Sequence, residues 1–308
     1  MYQDLLSRRL RSVLGVLCIV ALGGCDIAKF TADSTAGLFT RAAPAFESYW
    51  DYDLAGEAMP ATIVQFEGIL RVVPDNEAIL SQLAQAYVAY AYGWIEADVE
   101  ALEFEGEYTE ADVQRKRTRT MYLRAMDLTR HRVRLHNPDV DNAVRGTVED
   151  LEAWLQAAFI EEADAELLLW HGYAWGSYIN SAKDDMAAVA DLPYAKAFVV
   201  RSIELDPNYY NAAGYTFMGV ATASEMASDM DLAKVYFEKA LARTERRALQ
   251  AQVNMARHYA VKTGDRELFD KLLTEVLDAH DPLPEARLAN TMARERATLY
   301  VDNADQLF

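Results

Sequence analysis

Cysteine is nearly absent. The 308 residues hold two, Cys18 and Cys25, too few for a disulfide scaffold or a thiolate zinc site. Positive charge is also scarce: 30 Lys and Arg stand against 48 Asp and Glu, for a formal net charge of −18. A phosphate backbone would meet a repulsive field, so nonspecific nucleic-acid binding is excluded, and docking on anionic lipid by charge alone is disfavoured. Alternation of apolar and polar residues never lasts long enough to indicate a sheet. With 52% hydrophobic and 25% charged residues, the chain has what a packed core requires. No apolar run reaches membrane-spanning length. The best is VLGVLCIVAL, residues 13–22, which as a helix rises about 15 Å, half the thickness of a bilayer core.

That run follows Arg8, Arg9 and Arg11 and precedes Leu22-Gly23-Gly24-Cys25. A basic segment, a short apolar segment and small residues make a secretory signal peptide over 1–24. The last four residues resemble the lipobox of bacterial lipoproteins, which makes Cys25 the expected lipid attachment site and the first mature residue. Cleavage there removes Cys18 and leaves 27 basic and 47 acidic residues, a net charge of −20. Acyl chains would supply the membrane affinity, so the acidic body need not touch lipid. Asp26, next in line, resembles an inner-membrane retention signal. A tether is expected over 25–41, interrupted by Thr31, Ser34, Thr35 and Gly37, and an all-helical domain over 42–308.

Ala, Leu, Glu and Arg dominate the remainder, all good helix formers. In DLAKVYFEKAL, residues 231–241, Ala233, Phe237 and Ala240 share one helical face. Small residues around a large one let a neighbouring helix approach and receive the ring. With Tyr215, Met218, Gly219 and Ala223 upstream, the pair resembles a tetratricopeptide (TPR) unit. Pro74 and Pro207 each end one helix before another starts. Looser pairs follow at 161–181 with 191–204 and at 246–262 with 265–277. A last helix near 283–301 reads as a cap. The expected fold class is all-α, a divergent TPR-like helical-hairpin array with a C-terminal capping helix; another all-helical bundle is the alternative.

Eight acids lie between Glu96 and Asp112, and eight bases between Arg115 and Arg134. The two stretches either screen each other or leave an arginine wall for an acidic partner, with Arg117, Arg124 and Arg130 as the docking candidates. Chemistry is otherwise hard to find. His131 and His136 are five apart and diverge around a helix. NPDVDNA, 137–143, lacks the Gly and Glu of a calcium loop and reads as a turn. No H-E-x-x-H, phosphate loop, dinucleotide fingerprint or G-x-S-x-G occurs. No catalytic residue, metal site or cofactor is expected. The most unusual segment is LLLWHGYAWGSYINSAKDD, 167–185. There Trp170, Tyr173, Trp175 and Tyr178 stud a helix carrying Gly172 and Gly176, two glycines costing about 1 kcal/mol each. Close packing or a ligand should compensate, and the aromatics either fill a core or line a pocket or pore.

That segment, together with ADLPYAKAFVVRSIELDPNYYNAAG, AKVYFEKAL, NMARHYAVKTGDRELFDKLL and RLANTMARERATLYVDNADQLF, resembles the TatT family over about residues 25–308. These are periplasmic lipoprotein T components of tripartite ATP-independent periplasmic (TRAP) transporters. The resemblance implies a non-catalytic, lipid-anchored, TPR-like homotrimer that docks a periplasmic solute-binding protein, the P component. It further implies passage of a small organic ligand through a pore in each subunit, which Trp170, Tyr173, Trp175 and Tyr178 would line. Two other classes stay open at the level of sequence: an envelope scaffold lipoprotein for complex assembly, and a periplasmic hydrolase.

Overall fold

Asp and Asn side chains start many of the helices, each accepting a backbone N–H two or three residues on. The computed structural model describes residues 27–308, and among them every regular element is helical. The signal peptide, Cys25 and Asp26 lie outside the described residues. The chain opens with α1 (Ile27–Glu47), α2 (Tyr52–Val72) and α3 (Glu77–Tyr90), the last two capped by Asp51 and Asn76. A π-helical turn, Ala91–Ile95, leads without a break into α4 (Glu96–Glu105), which ends at Gly106 with φ +83°. The long α5 (Tyr108–His136) follows, then α6 (Val140–Ala143), where a turn was expected, and α7 (Val148–Ala158), which begins with a Thr147–Asp150 capping box.

Next come α8 (Asp164–Ser181), α9 (Met186–Ala190), α10 (Leu192–Leu205), α11 (Tyr209–Ser224) and α12 (Met230–Arg243). A second π-helical turn, Ala256–Ala260, joins α13 (Gln250–Met255) to α14 (Val261–Thr263). The chain finishes with α15 (Arg266–Asp278), α16 (Arg287–Asp302) and α17 (Ala304–Leu307).

The expected pairs form. Helices α8 and α10 lie so close that a Cβ on Gly172 would stand 2.7 Å from the Ala195 carbonyl. In the α11–α12 pair the ring of the fully buried Phe237 covers Gly219, 2.9 Å from where a Cβ would be. The tether is different. Residues 27–41 are part of α1, because the hydroxyls of Thr31, Thr35 and Thr40 donate to carbonyls four residues back (2.8, 2.8 and 3.2 Å) and so fit within the helix. Ala36 is buried, and Phe39 meets Phe66 edge-on at 4.8 Å.

The last long helix does more than cap the array. Beyond α15 and α13, α16 packs on α1 and α2, so the circuit of packed helices closes. Arg287 donates to the Ser48 carbonyl (3.0 Å), and Leu288 and Met292 bury against Ala55, Tyr52 and Trp94. Gly93 lets this happen: a Cβ there would stand 2.8 Å from Met292.

Candidate functional site

Two ladders with a four-residue step face each other where the circuit closes. Tyr92, Glu96 and Glu100 run from the first π-helical turn into α4, and Met292, Arg296 and Tyr300 run along α16. Arg296, 5% exposed, bonds Glu100 at 2.9 Å, lies 3.6 Å from Glu96 and donates to the Tyr92 carbonyl at 2.6 Å. Its guanidinium also stacks over the Tyr92 ring, 4.5 Å from the centroid. The Tyr300 hydroxyl donates to Glu100 (3.0 Å), and the Tyr92 hydroxyl reaches across to Gln250 of α13 (2.6 Å). Burial raises the Glu96 carboxyl above its ordinary range, with Arg296 opposing and Glu100 reinforcing the shift. Burial and Glu96 also hold the Tyr122 hydroxyl of α5 protonated.

The second π-helical turn faces the same cluster. It presents Arg257, whose Nε lies 3.9 Å from Glu100, and His258. A π-helical turn inserts one residue into a helix and swings the side chains around it, a device frequent at functional sites. Here two such turns aim Tyr92, Arg257 and His258 at one place. His258 is only half-buried in area, yet burial and the nearby cations Arg257, Lys183 and Arg296 push its pKa down to about 3. Tyr210 is 40% exposed, yet burial pushes its hydroxyl up to about 12.

The aromatic helix α8 divides between this cluster and the opposite side. Trp170 is buried, donates to the Tyr209 hydroxyl (3.2 Å) and meets Tyr210 edge-on at 4.9 Å. Tyr173 joins the interior cluster: burial, Tyr92, Glu96 and Tyr210 all raise its hydroxyl. Trp175 does not join it. Its ring packs with Tyr194, Phe198 and His171 in a separate core. Tyr178 is half-buried beside the core of α2 to α5. Both glycines are explained by packing, since a Cβ on Gly176 would stand 2.4 Å from the Phe217 ring. Tyr210, Asn211 and Ala212 all have left-handed φ, between 47° and 57°, at the start of α11. Three such residues in a row, none of them glycine, store strain exactly where Tyr210 is presented to Trp170.

The basic helix α5 is largely neutralised, and by acids from beyond the neighbouring stretch. Arg124 forks onto Glu67 of α2 (2.8 and 2.7 Å). Arg130 and Arg134 share Asp141, whose pKa their hydrogen bonds hold down at about 2. Arg132 bonds Glu166, and Arg119 pairs with Asp184. Among the described residues only Arg115 forms an ion pair with the stretch itself, through Glu103 and Asp112. Arg117 is held by the Tyr90 ring, 5.5 Å from its centroid; burial raises the Asp98 carboxyl above its ordinary range, and the Arg117 charge opposes that only in part. Arg117, Arg124 and Arg130 therefore do not form one open patch.

The interior ladders were missed at the level of sequence, although a signal was there. Arg296 falls on the apolar stripe Leu288–Met292–Tyr300, and a cation at a core position calls for buried carboxylates. Among the described residues no His, Cys, Asp and Glu side chains group as a metal site. An open groove of about 760 Å³ also runs between α1 and α2, lined by Ile27, Thr31, Phe39 and Ile69.

Comparison with known proteins agrees with the resemblance read from the sequence. The family model described as the TRAP transporter T-component matches residues 49–308. No curated protein matches the chain.

Proposed function

The chain belongs to the TRAP transporter T-component family, and from that premise we propose that it is a non-catalytic accessory component of such a transport system. In this reading Cys25 carries the acyl anchor, three copies assemble, and each docks a periplasmic solute-binding protein, the P component. A small organic ligand then passes through the interior of the subunit. The observation that carries the reading is the cluster of buried polar and aromatic side chains around Arg296 where the helical circuit closes. Tyr92 and Tyr173 bring to it aromatic rings with polar tips, groups that suit amphipathic organic molecules. Among the described residues no helix is long and apolar enough to cross a membrane, so attachment would rest on the acyl chains.

The test uses the purified chain and the solute-binding protein of the same transport system. Titration calorimetry should give saturable binding of one partner per subunit, and light scattering should give three times the chain mass. Full-length Cys25→Ser should leave the membrane fraction. Absence of binding well above micromolar concentrations would remove the docking role, and a monomer would remove the trimer.

A further inference from the structure

We propose that the groove between α1 and α2 is a slot for one acyl chain of the Cys25 anchor, the rest of the anchor staying in the bilayer. The inference rests on lipidation at Cys25 in the reading above and adds where the lipid goes. None of the described residues lining the groove of about 760 Å³ is charged, in a chain where 25% of residues are. Thr31 and Thr35 line it, but their hydroxyls are committed to the carbonyls of Ile27 and Thr31 at 2.8 Å. Gln65 supplies the remaining polar side chain of the lining.

The anchor is within reach. Residues 27–41 are helix packed on α2 and not a tether, and Ile27 lines the groove two residues after Cys25. Two residues span about 7 Å at most. The lengths also match. From Ile27 to Phe39 the α1 wall rises about 18 Å. Two acyl chains end to end span a bilayer core of about 30 Å, so one extends about 15 Å. Glycine gives a further sign. A Cβ on Gly56, Gly176 or Gly219 would strike a neighbouring ring. One on Gly68, inside α2 and part of the lining, would meet nothing within 4 Å. Glycine there weakens the helix without serving a packing contact, and it leaves the groove open. Ile27 and Val72, both lining it, are 75% and 46% exposed, apolar surface that a hydrocarbon chain would cover.

Thiol labelling tests the slot, because the mature chain has no free cysteine once Cys18 leaves and the Cys25 sulfur is acylated. Gly68→Cys places one thiol in the groove. Gly37→Cys places one on α1 outside the lining, where a Cβ also meets nothing within 4 Å. In membranes carrying the palmitate-labelled protein, a maleimide should modify Gly68→Cys about tenfold more slowly than Gly37→Cys, since thiol reactions follow access. Adding Cys18→Ser and Cys25→Ser removes the acyl chains and every other thiol, and the two positions should then react alike. Equal rates in the palmitate-labelled protein would overturn the slot and leave the anchor standing. Failure to incorporate palmitate would remove anchor and slot together. Slow reaction at both positions would lay α1 on the membrane instead. Protection of Gly68→Cys without the anchor, by a second copy at high concentration or by phosphatidylethanolamine–phosphatidylglycerol vesicles, would give the groove to that occupant and overturn the proposal.

Discussion

Glycine placement at the helix contacts follows from what a single methyl would strike. At Gly176 an added Cβ would lie 2.4 Å from the ring of Phe217, itself 9% exposed and unable to swing into solvent. Alanine would gain about 1 kcal/mol of helix propensity, but overpacking costs ~1–3 kcal/mol. Gly176→Ala should therefore lower stability, read as an earlier urea midpoint, and a later midpoint would show that α8 and α11 have room to part. His171 sets a pH dependence. It is 1% exposed, and Thr129 Oγ1 lies 3.0 Å from its Nδ1; burial pushes its pKa down to about 3. An unfolded histidine titrates near 6.5. Between those values the unfolded chain holds a proton that the folded chain lacks, so stability falls as pH drops below about 6.5 and levels off near 3. At pH 5 the loss is on the order of 2 kcal/mol. Replacing His171 by Gln should flatten the change in urea midpoint between pH 7 and pH 5. An unchanged slope would assign the acid sensitivity elsewhere, with His258 next in line.

At the scale of elements, α5 is a strut whose arginines pin it to its neighbours. Arg124 ties it to Glu67 of α2, Arg132 to Glu166 of α8, and Arg130 to Asp141 of α6. Partly exposed pairs of this kind contribute about 1 kcal/mol or less each, yet reversing one charge puts two carboxylates face to face. Arg124→Glu should therefore destabilise the fold, and by more than Arg117→Glu, which breaks a contact with the Tyr90 ring and hydroxyl and removes the charge that opposes burial at Asp98. If α5 also docks the solute-binding protein, the effect on binding and on its salt dependence should come from Arg117. Calorimetry at two ionic strengths reads this, and an affinity untouched in Arg117→Glu would leave α5 as a strut alone.

For the whole molecule, the contact that matters most is the closure between the first helices and α16. Its centre is the Arg296 ion pair with Glu96 and Glu100, desolvated on every side. Removing one partner of a buried pair costs about 3–5 kcal/mol, because the other charge is left uncompensated. Arg296→Met should show that loss in urea unfolding, and adding Glu100→Gln should restore part of it by removing the orphaned charge. Equal stability in the single variant would mean that water reaches the pair and that the circuit closes through Leu288 and Met292 alone. Closure also removes both ladders from solvent: an open array would expose them.

Local rules determined much of this protein. The helices, their asparagine and aspartate caps and the glycine stops after α4 and α14 follow from propensity and backbone freedom, which act within a few residues. The Phe237–Gly219 contact and the close approach at Gly172 could be read from spacing, because a helix fixes which side chains share a face. The family was legible for the same reason, in ordered stretches of local sequence. Tertiary structure alone decided which aromatics meet. Trp175 and Tyr173 are two residues apart, and their faces separate into one packed core and the cluster around Tyr92 and Glu96. It alone decided that Arg124 belongs to Glu67, 57 residues away, and not to the acids just before α5. Arg296 and Glu96 are 200 residues apart, and only the return of α16 to the N-terminal helices brings them together. No periodicity within either segment carries that information, since charge pairing depends on distance in space and the sequence records only distance along the chain.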